Sequence, residues 1–389
     1  MSVKENQKSF DEIINFIRER FNEPEEFIPL HAPYFGGNEK KYVMETIEST
    51  FVSSVGAYVT KFEEMMKQIT GAKFVIAMVN GTTALHLAML VAGVKHGDAV
   101  ITQPLTFAAT ANAIVHAGAS PVFIDVDKDT LGLSPIALEE WLKANTSVSE
   151  HGCFIQSNGQ RVAACIPMHS FGFPLYIEEI IKVCDKYGIP VVEDAAESLG
   201  SYVGEKHTGT FGLLGTFSFN GNKTVTSGGG GAIITNDERI GLLTKHLSTT
   251  AKVPHAYEFS HDMVGYNYRM PNLNAALACA QLEQLDKFLE NKIELSKLYS
   301  AFFKNRNEEF VQEREGTTAN YWLNTIMFEN KDEQQLFLQY SNDKKVMTRP
   351  IWQLMNKLPM YKSCLAGPLP NAQWLEDRVV NIPSSYRPV

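Results

Sequence analysis

The sequence contains little cysteine and no long apolar segment. Its 389 residues include five cysteines, which are widely spaced and form no Cys-x-x-Cys pair. This pattern argues against a disulfide framework or a zinc site, so we expect reduced thiols, no metal centre and a cytoplasmic location. No apolar run reaches the ~20 residues that span a bilayer, and residues 1–20 do not resemble a signal segment.

A strong charge of one sign is also absent. The net charge is -9, the pI is near 5.6, and the charges are spread along the chain. Such a chain has no long-range attraction to nucleic acid or to an anionic membrane. We therefore expect neither as a partner, and any phosphate group that binds must be held by a local pocket.

Short apolar segments alternate with helical patterns from about residue 60 to residue 240. The predicted strands are residues 74–79, 99–104, 120–126, 162–168, 189–195, 215–220 and 231–237, and the predicted helices between them are residues 83–94, 107–118 and 178–188. This alternation predicts an α/β domain with a largely parallel sheet. Ligands of such sheets bind at the carboxyl ends of the strands.

The chain is long enough for two domains. Helical spacing of apolar residues over 10–21 and 38–51 predicts an N-terminal helical arm. After about residue 255 the pattern changes to a long helix followed by short strands, helices and proline-containing loops. We predict a large domain over residues 1–255, including the arm, and a smaller α/β domain over residues 256–389.

Residues 80–90 (NGTTALHLAML) follow a predicted strand and open a helix. The first turn of a helix has free N–H groups and a positive dipole end, which suit a phosphate group. Gly81 allows close approach of the backbone, and Thr82 and Thr83 add hydroxyl groups. A simple N-cap on a core helix is the alternative interpretation of this segment.

A second apolar segment ends in Glu193-Asp194. A carboxylate at the carboxyl end of a strand can pair with a protonated ring nitrogen and keep a pyridinium charged. The alternative is that these carboxylates cap a helix or bind a metal ion.

Ser218 and Lys223 lie five residues apart, shortly before four glycines at 228–231. A lysine that forms a Schiff base needs a crowded, partly desolvated environment near phosphate donors. Glycines permit a tight reversal of the chain close to a ligand. For a lysine taken alone, a surface position beside a flexible turn is the alternative.

These motifs occur in the order GTTAL (81–85), EDAAES (193–198) and SFNGNKTVTSGGGGA (218–232). Together with residues 33–50, 103–114, 166–174 and 265–276, this order resembles the DegT/DnrJ/EryC1/StrS sugar aminotransferases. The resemblance implies the pyridoxal phosphate (PLP) fold of type I. This fold has a large domain with a mostly parallel seven-stranded sheet and a smaller C-terminal α/β domain.

The resemblance also implies roles for individual residues. Lys223 would bind the cofactor, PLP or its amino form PMP, as a Schiff base and then move protons as a general acid–base. Asp194 would pair with the pyridine nitrogen, and Glu197, where glutamine or histidine is commoner, would lie near the phenolic oxygen, with its charge state left open. The other implied cofactor contacts are Gly81, Thr82, Thr83, Phe107, Ser218 and Asn267.

Asn267 matches an asparagine that reaches the neighbouring subunit's cofactor, so the resemblance implies a homodimer with shared active sites. The implied substrates are L-glutamate and a nucleotide-linked keto-sugar. Candidate substrate contacts are His31, Tyr34, Phe51, Ser53, His169 and Arg269. Within this family, the combined sequence segments are most similar to the legionaminic acid pathway enzymes that make UDP-4-amino-4,6-dideoxy-N-acetylglucosamine.

Four other functions are weighed against this one. The same chemistry could act on another nucleotide-linked keto-sugar, such as one of the GDP-perosamine type. A PLP-dependent sugar dehydratase carries histidine in place of the lysine, and position 223 is Lys. A nicotinamide-dependent sugar oxidoreductase would need Gly-x-Gly-x-x-Gly after the first strand, which the chain lacks. No segment of the chain favours the fourth function, a PLP-binding regulator without catalytic activity.

Overall fold

The computed structural model describes residues 3–388, with side chains described from residue 7 onward. Residues 1, 2 and 389, which belong to the two predicted domains, lie outside the described range. The helices are α1 (Val3–Phe21), α2 (Glu39–Glu48), α3 (Ala57–Thr70), α4 (Gly81–Val91), α5 (Ala108–His116), α6 (Pro135–Asn145), α7 (Ile177–Lys186), α8 (Glu238–Ser248), α9 (Asn272–Leu282), α10 (Leu285–Phe303), α11 (Lys331–Asp343) and α12 (Pro370–Glu376).

The strands are β1 (Phe74–Met78), β2 (Ala99–Thr102), β3 (Ser120–Phe123), β4 (Thr146–Ser149), β5 (Gly152–Ile155), β6 (Val162–Ile166), β7 (Val192–Asp194), β8 (Tyr202–Val203), β9 (Lys206–His207), β10 (Leu214–Ser218), β11 (Gly231–Thr235), β12 (Lys252–Val253), β13 (Ser260–His261), β14 (Glu309–Phe310), β15 (Thr317–Thr318), β16 (Asn324–Met327), β17 (Arg349–Pro350) and β18 (Val379–Ile382).

The main sheet combines a four-stranded part, in the order β1-β11-β10-β7, with a three-stranded part, β6-β2-β3. Single parallel bridges from Cys165 to Val191 and from Met168 to Asp194 join β7 to β6. Only β11 runs against its neighbours in this sheet. The predicted α/β class with a mostly parallel seven-stranded sheet is therefore confirmed, and each strand overlaps its predicted segment.

The predicted motifs lie at the carboxyl ends of these strands. β1 leads through Asn80 into α4, β7 ends at Asp194, and β10 ends at Ser218. Because parallel strands direct their carboxyl ends to the same edge of a sheet, segments that are distant in sequence meet there. The sheet topology thus brings the three motifs to one place.

Helix α1 contributes its apolar side to the C-terminal part of the chain. Phe10, Ile13, Ile14 and Ile17 follow helical spacing and are buried in one cluster with aromatic residues of 310–337. Burying an apolar side chain of this size stabilises the fold by about 1.5–3 kcal/mol. Helix α1, the first helix of the predicted arm, therefore packs on helices α10 and α11 of the C-terminal part and not on the main sheet, because its apolar stripe faces them.

Helices from the two sides of the predicted domain boundary pack against each other. Helix α9, which follows the predicted boundary at 255/256, packs against α2 and α3 beside the main sheet. A second, antiparallel sheet in the order β14-β16-β18-β17 forms the centre of the C-terminal part. The division of the chain at residue 255 stays a prediction.

None of the helices within residues 3–388 combines the length and apolar character needed to cross a bilayer. The cytoplasmic location stays a prediction.

Candidate active site

A cavity of about 770 Å³ lies between the carboxyl edge of the main sheet and the C-terminal part of the chain. Its size is in the range of cavities that hold small-molecule ligands and cofactors. The residues predicted from the sequence that line it are His31, Gly81, Thr82, Phe107, Asp194, Glu197, Ser218 and Lys223.

One end of the cavity is formed by the first turn of α4. The side chain of Asn80 caps this helix by accepting the Thr83 N–H at 2.8 Å. Gly81 and Ser218 face each other closely, since a Cβ atom on Gly81 would lie 2.9 Å from the Ser218 Cβ. Free N–H groups, the helix dipole and a hydroxyl group around a narrow space form a suitable site for a phosphate group.

Thr83 does not line the cavity, although the sequence pattern placed it with the phosphate contacts. Its N–H is used by the Asn80 side chain, and its hydroxyl group donates to the Asn80 carbonyl oxygen at 3.0 Å. Both of its donors are thus used within the helix cap.

Lys223 forms an ion pair with Glu197. The Lys223 Nζ lies 3.0 Å from Glu197 Oε1, and the second carboxylate oxygen accepts the Phe171 N–H at 2.8 Å. Burial raises the pKa of Glu197, while the Lys223 charge and the Phe171 N–H lower it. The Lys223 Nζ also lies 3.7 Å from the centre of the Trp322 ring, a cation–π distance.

Phe171 reaches Glu197 through a strained backbone. Its φ angle is 56°, in the left-handed region that bulky residues rarely adopt. This conformation directs its N–H at the Glu197 carboxylate. Glu197, whose charge state the sequence left open, therefore forms an ion pair with Lys223 that is supported by a backbone donor.

Asp194 is buried at the end of β7. Thr110 donates to its Oδ2 at 2.7 Å, and the Ala196 N–H donates to its Oδ1 at 3.2 Å. Burial raises the pKa of Asp194, and these hydrogen bonds, with the charge of Lys223, oppose the rise. A carboxylate fixed in this way beside the cavity can hold a protonated ring nitrogen.

Aromatic rings form another part of the cavity wall. Phe107 is 54% exposed, and its ring centre lies 6.4 Å from that of Trp352. Trp352 in turn lies 4.7 Å from Phe171. A flat heteroaromatic ligand could stack on Phe107, as the sequence predicts, because this ring is left uncovered on one side.

His169, a candidate substrate contact, is fully buried and does not line the cavity. Its Nε2 lies 3.1 Å from Glu193 Oε2, and its Nδ1 accepts the Leu175 N–H at 3.3 Å. Glu193 also accepts N–H groups from the 209–212 segment. The prediction for His169 is wrong for this chain's cavity, because this network already uses both ring nitrogens.

The remaining candidates lie away from the cavity of their own chain. The Tyr34 ring packs 4.6 Å from Tyr386, and the Ser53 carbonyl oxygen accepts the Asn272 N–H. Asn267 is exposed and accepts a hydrogen bond from Arg269 at 3.0 Å. Phe51 is exposed too. Their predicted roles would need a second subunit and stay predictions.

Sequence reasoning missed the residues that the C-terminal part supplies. Trp322, Met347, Arg349 and Trp352 line the cavity. Arg349 lies in β17, and a single arginine beside a proline carries little sequence signal.

A mostly parallel seven-stranded sheet with a partly buried lysine, a buried aspartate and a helix N-terminus at its carboxyl edge defines a PLP-dependent enzyme of fold type I. The sequence profile of the DegT/DnrJ/EryC1/StrS aminotransferase family matches residues 33–387. The chain belongs to this family, and its cofactor is PLP.

Relatives and solved structures agree with this assignment. The chain is 35% identical to the GDP-perosamine synthase of Escherichia coli O157:H7 over 360 residues, which cover 92% of this chain and 93% of the relative. It is 34% identical to the GDP-perosamine synthase of Vibrio cholerae, covering 92% and 94%. A DegT/DnrJ/EryC1/StrS aminotransferase from Brucella abortus superposes with a TM-score of 0.81 at 26% identity, covering 89% and 90%.

These findings confirm the predicted family, cofactor and sugar aminotransferase activity. They do not confirm the finer resemblance to UDP-sugar enzymes of the legionaminic acid pathway, since these curated relatives are GDP-perosamine synthases.

Proposed function

We propose that this protein transfers the amino group of L-glutamate to C4 of a nucleotide-linked 4-keto-6-deoxy sugar. The observation that supports this most is the cluster of Lys223, Glu197 and Asp194 at the carboxyl edge of the sheet, inside a cavity large enough for cofactor and sugar. When bound, PLP supplies the electron sink for the transfer.

The chain's own residues fit the cofactor. In this proposal the Asp194 carboxylate holds the proton of the ring nitrogen, and the first turn of α4 with Ser218 binds the phosphate group. Phe107 would cover one face of the ring. These residues would hold the cofactor in the cavity that Lys223 lines.

Lys223 has the central role. Its Nζ would hold the cofactor covalently and, when free, would carry a proton to and from the carbon that bears the amino group. Glu197 holds the Nζ within hydrogen-bond reach, and the Trp322 ring excludes water from one side. Position and partial desolvation together favour proton transfer by this one side chain.

The similarity to GDP-perosamine synthases supports a GDP-linked sugar over the UDP-linked N-acetyl sugar predicted from the sequence. We therefore propose a GDP-linked 4-keto-6-deoxyhexose as the substrate class. A product of this kind would enter the synthesis of cell-surface polysaccharide. UDP-4-keto-6-deoxy-N-acetylglucosamine, the precursor of the legionaminic acid branch, is the second candidate.

We further propose a homodimer with shared active sites. Three large apolar side chains near Asn267 are strongly exposed: Tyr257 at 79%, Phe259 at 80% and Val264 at 86%. Several large apolar side chains left exposed within one short segment favour a subunit interface there. Sedimentation velocity tests the proposal, since a monomer at micromolar concentration would contradict it.

A visible absorption scan of the holoenzyme tests the reaction. Glutamate is added first, followed by either the GDP-linked or the UDP-linked keto-sugar. We expect the cofactor's visible band to disappear with glutamate and to return with the GDP-linked sugar.

The other outcomes have separate meanings. If only the UDP-linked sugar restored the visible band, the proposed nucleotide would be overturned and UDP-4-keto-6-deoxy-N-acetylglucosamine would be supported as the substrate. A band that glutamate bleaches but neither sugar restores would contradict the sugar class. No response to glutamate would contradict the proposed amino donor.

A further inference from the structure

The amino group of Lys223 is held between a ring and a carboxylate. The centre of the Trp322 ring lies 3.7 Å from the Lys223 Nζ, and Glu197 Oε1 lies 3.0 Å from the same nitrogen. The Trp322 Nε1 donates to the carbonyl oxygen of Asn222, the residue before the lysine, at 2.7 Å. The position of the indole is therefore coupled to the position of the lysine, and it depends on the backbone that carries Trp322.

That backbone forms a strained turn at residues 320–322. Tyr321 has a φ angle of 47°, in the left-handed region that aromatic residues rarely adopt. The Asn320 side chain accepts the Trp322 N–H at 2.8 Å and donates to the Glu197 carbonyl oxygen at 2.8 Å. The turn thus adjoins both groups that flank the amino group. A strained backbone persists only where its surroundings fix it, so the turn needs further support.

Lys292 on α10 supplies this support without lining the cavity. Its Nζ donates to the carbonyl oxygens of Tyr321 at 3.4 Å and Trp322 at 3.2 Å. A shorter hydrogen bond of 2.6 Å goes to the carbonyl oxygen of Ser384, two residues beyond β18. One amino group therefore joins the strained turn to the end of a strand in the second sheet.

A lysine in this place is unfavourable for stability by itself. Lys292 is fully buried, and burial lowers its pKa to about 7, with no carboxylate charge opposing the effect among the described residues. An apolar side chain would fill the same space without the cost of removing an amino group from water. What an apolar side chain could not supply is N–H donors. The ammonium form has three donors and the neutral amine still has two.

We propose that Lys292 is a positioning residue for Lys223. By fixing the turn at residues 320–322, it keeps the Trp322 indole over the free amino group, which then stays beside Glu197. Lys292 acts through Trp322 and does not itself enter the cavity. This inference rests on the proposed function, because the position of the amino group matters only if Lys223 moves protons in an amino transfer.

The test compares Lys292→Met, which removes the donors and keeps a side chain of similar length, with Lys297→Met at an exposed position of the same helix. Single-turnover rate constants of the holoenzyme are measured separately with glutamate and with the GDP-linked keto-sugar. We expect both to fall about tenfold to a hundredfold in Lys292→Met, because a small misplacement of a reacting group costs up to about 10²-fold. The half-saturating concentrations should stay the same. Lys292→Arg, which keeps N–H donors, and Lys297→Met should react nearly as fast as wild type.

A double-mutant cycle shows whether Lys292 acts through Trp322. Trp322→Leu removes the ring and should itself slow both half-reactions. Adding Lys292→Met to Trp322→Leu should then slow them less than about twofold further, because two residues that act through one contact are not additive. Losses that multiply would overturn the proposal, and so would normal rates in Trp322→Leu.

Two other results would show a different role. If Lys292→Met lowers only the amplitude of the single-turnover signal, less protein is folded and Lys292 serves stability alone. If only the half-saturating concentration of the sugar rises, Trp322 contacts the substrate and does not position Lys223. Either result overturns the proposal.

NMR of the indole N–H groups gives a readout that does not depend on turnover. The Trp322 signal is assigned with Trp322→Phe, and its exchange with solvent should be at least tenfold faster in Lys292→Met than in wild type. Unchanged exchange would overturn the proposal. If Lys292→Met does not fold, Lys292→Gln, which has two N–H donors on a shorter side chain, takes its place and the same outcomes decide. A wild-type cofactor band that does not respond to glutamate contradicts the proposed function, whereas the exchange rates test the turn itself.

Discussion

The two walls of the cavity differ in how their polar groups are satisfied. On the wall at the sheet edge, Asp194 is held by Thr110, and Glu197 is held by Lys223 and a backbone N–H. On the facing wall, the Arg349 guanidinium is only partly engaged. We infer that the wall at the sheet edge is organised for the cofactor chemistry and that the facing wall is completed by a particular substrate.

The difference has a physical basis. Cofactor chemistry needs groups fixed in advance, because reorganisation during the reaction would cost catalytic power. Specificity arises when a buried polar group is satisfied by the correct ligand and left unpaired by the wrong one. Substitutions on the two walls should therefore affect different measurable quantities.

The largest effect is expected for Lys223→Ala on the sheet-edge wall. Loss of covalent attachment and of the acid–base group should lower turnover roughly 10³-fold or more. Steady-state kinetics with saturating PLP measures this, with exposed Lys143→Ala as the control. Normal turnover in Lys223→Ala would contradict the assignment of the lysine.

Asp194→Asn keeps the shape of the side chain and removes its charge. Because the amide cannot stabilise a protonated ring nitrogen, we expect kcat to fall about 10²–10³-fold, the usual loss for one preorganised electrostatic contact. Single-turnover rates with glutamate measure the effect, and Asp185→Asn on the exposed side of α7 is the control. If only KM for the sugar changed, Asp194 would act on the substrate and not on the cofactor, which would contradict its assignment to the sheet-edge wall.

Gly81→Ala tests the narrow phosphate end. The new methyl group would lie 2.9 Å from the Ser218 Cβ, so the first turn of α4 or Ser218 must shift. Overpacking of about 1–3 kcal/mol should weaken PLP binding about tenfold to a hundredfold. Titration of the apoenzyme with PLP measures this. Gly221→Ala, which points into open space, should bind PLP normally.

The smallest effect is expected for Arg349→Gln on the facing wall. In the proposed function this solvent-exposed guanidinium lies beside the diphosphate of the substrate and is partly screened, so KM for the nucleotide sugar should rise only about tenfold. PLP affinity and the glutamate half-reaction should not change. Arg239→Gln on α8 is the control, and weaker PLP binding in Arg349→Gln would show that the two walls are not separate.

The sequence indicated one wall much better than the other. Gly81, Asp194, Ser218 and Lys223 occur in short contiguous motifs, and each motif follows an apolar strand, so topology alone brings them together. His31 was named only through resemblance to a family. Arg349 was missed, because no local pattern distinguishes a cavity arginine from a surface arginine.

His169 shows the opposite error. A histidine shortly after β6 was expected near the substrate, but Glu193 and the Leu175 N–H occupy both of its nitrogens. Such a network depends on segments far apart in sequence, so no local pattern could reveal it.

By itself the sequence determined the α/β class, the seven strands and the cofactor wall, because alternating apolar strands and helices force the motifs to one edge of a parallel sheet. Only the tertiary structure decided what faces that wall. Helix α1 packs its apolar stripe on helices α10 and α11, and the Ile28–Val346 bridge lies in the segments that bring His31 and Arg349 to the cavity. Pairing across more than 300 residues is set by packing and backbone hydrogen bonds, which no local pattern encodes.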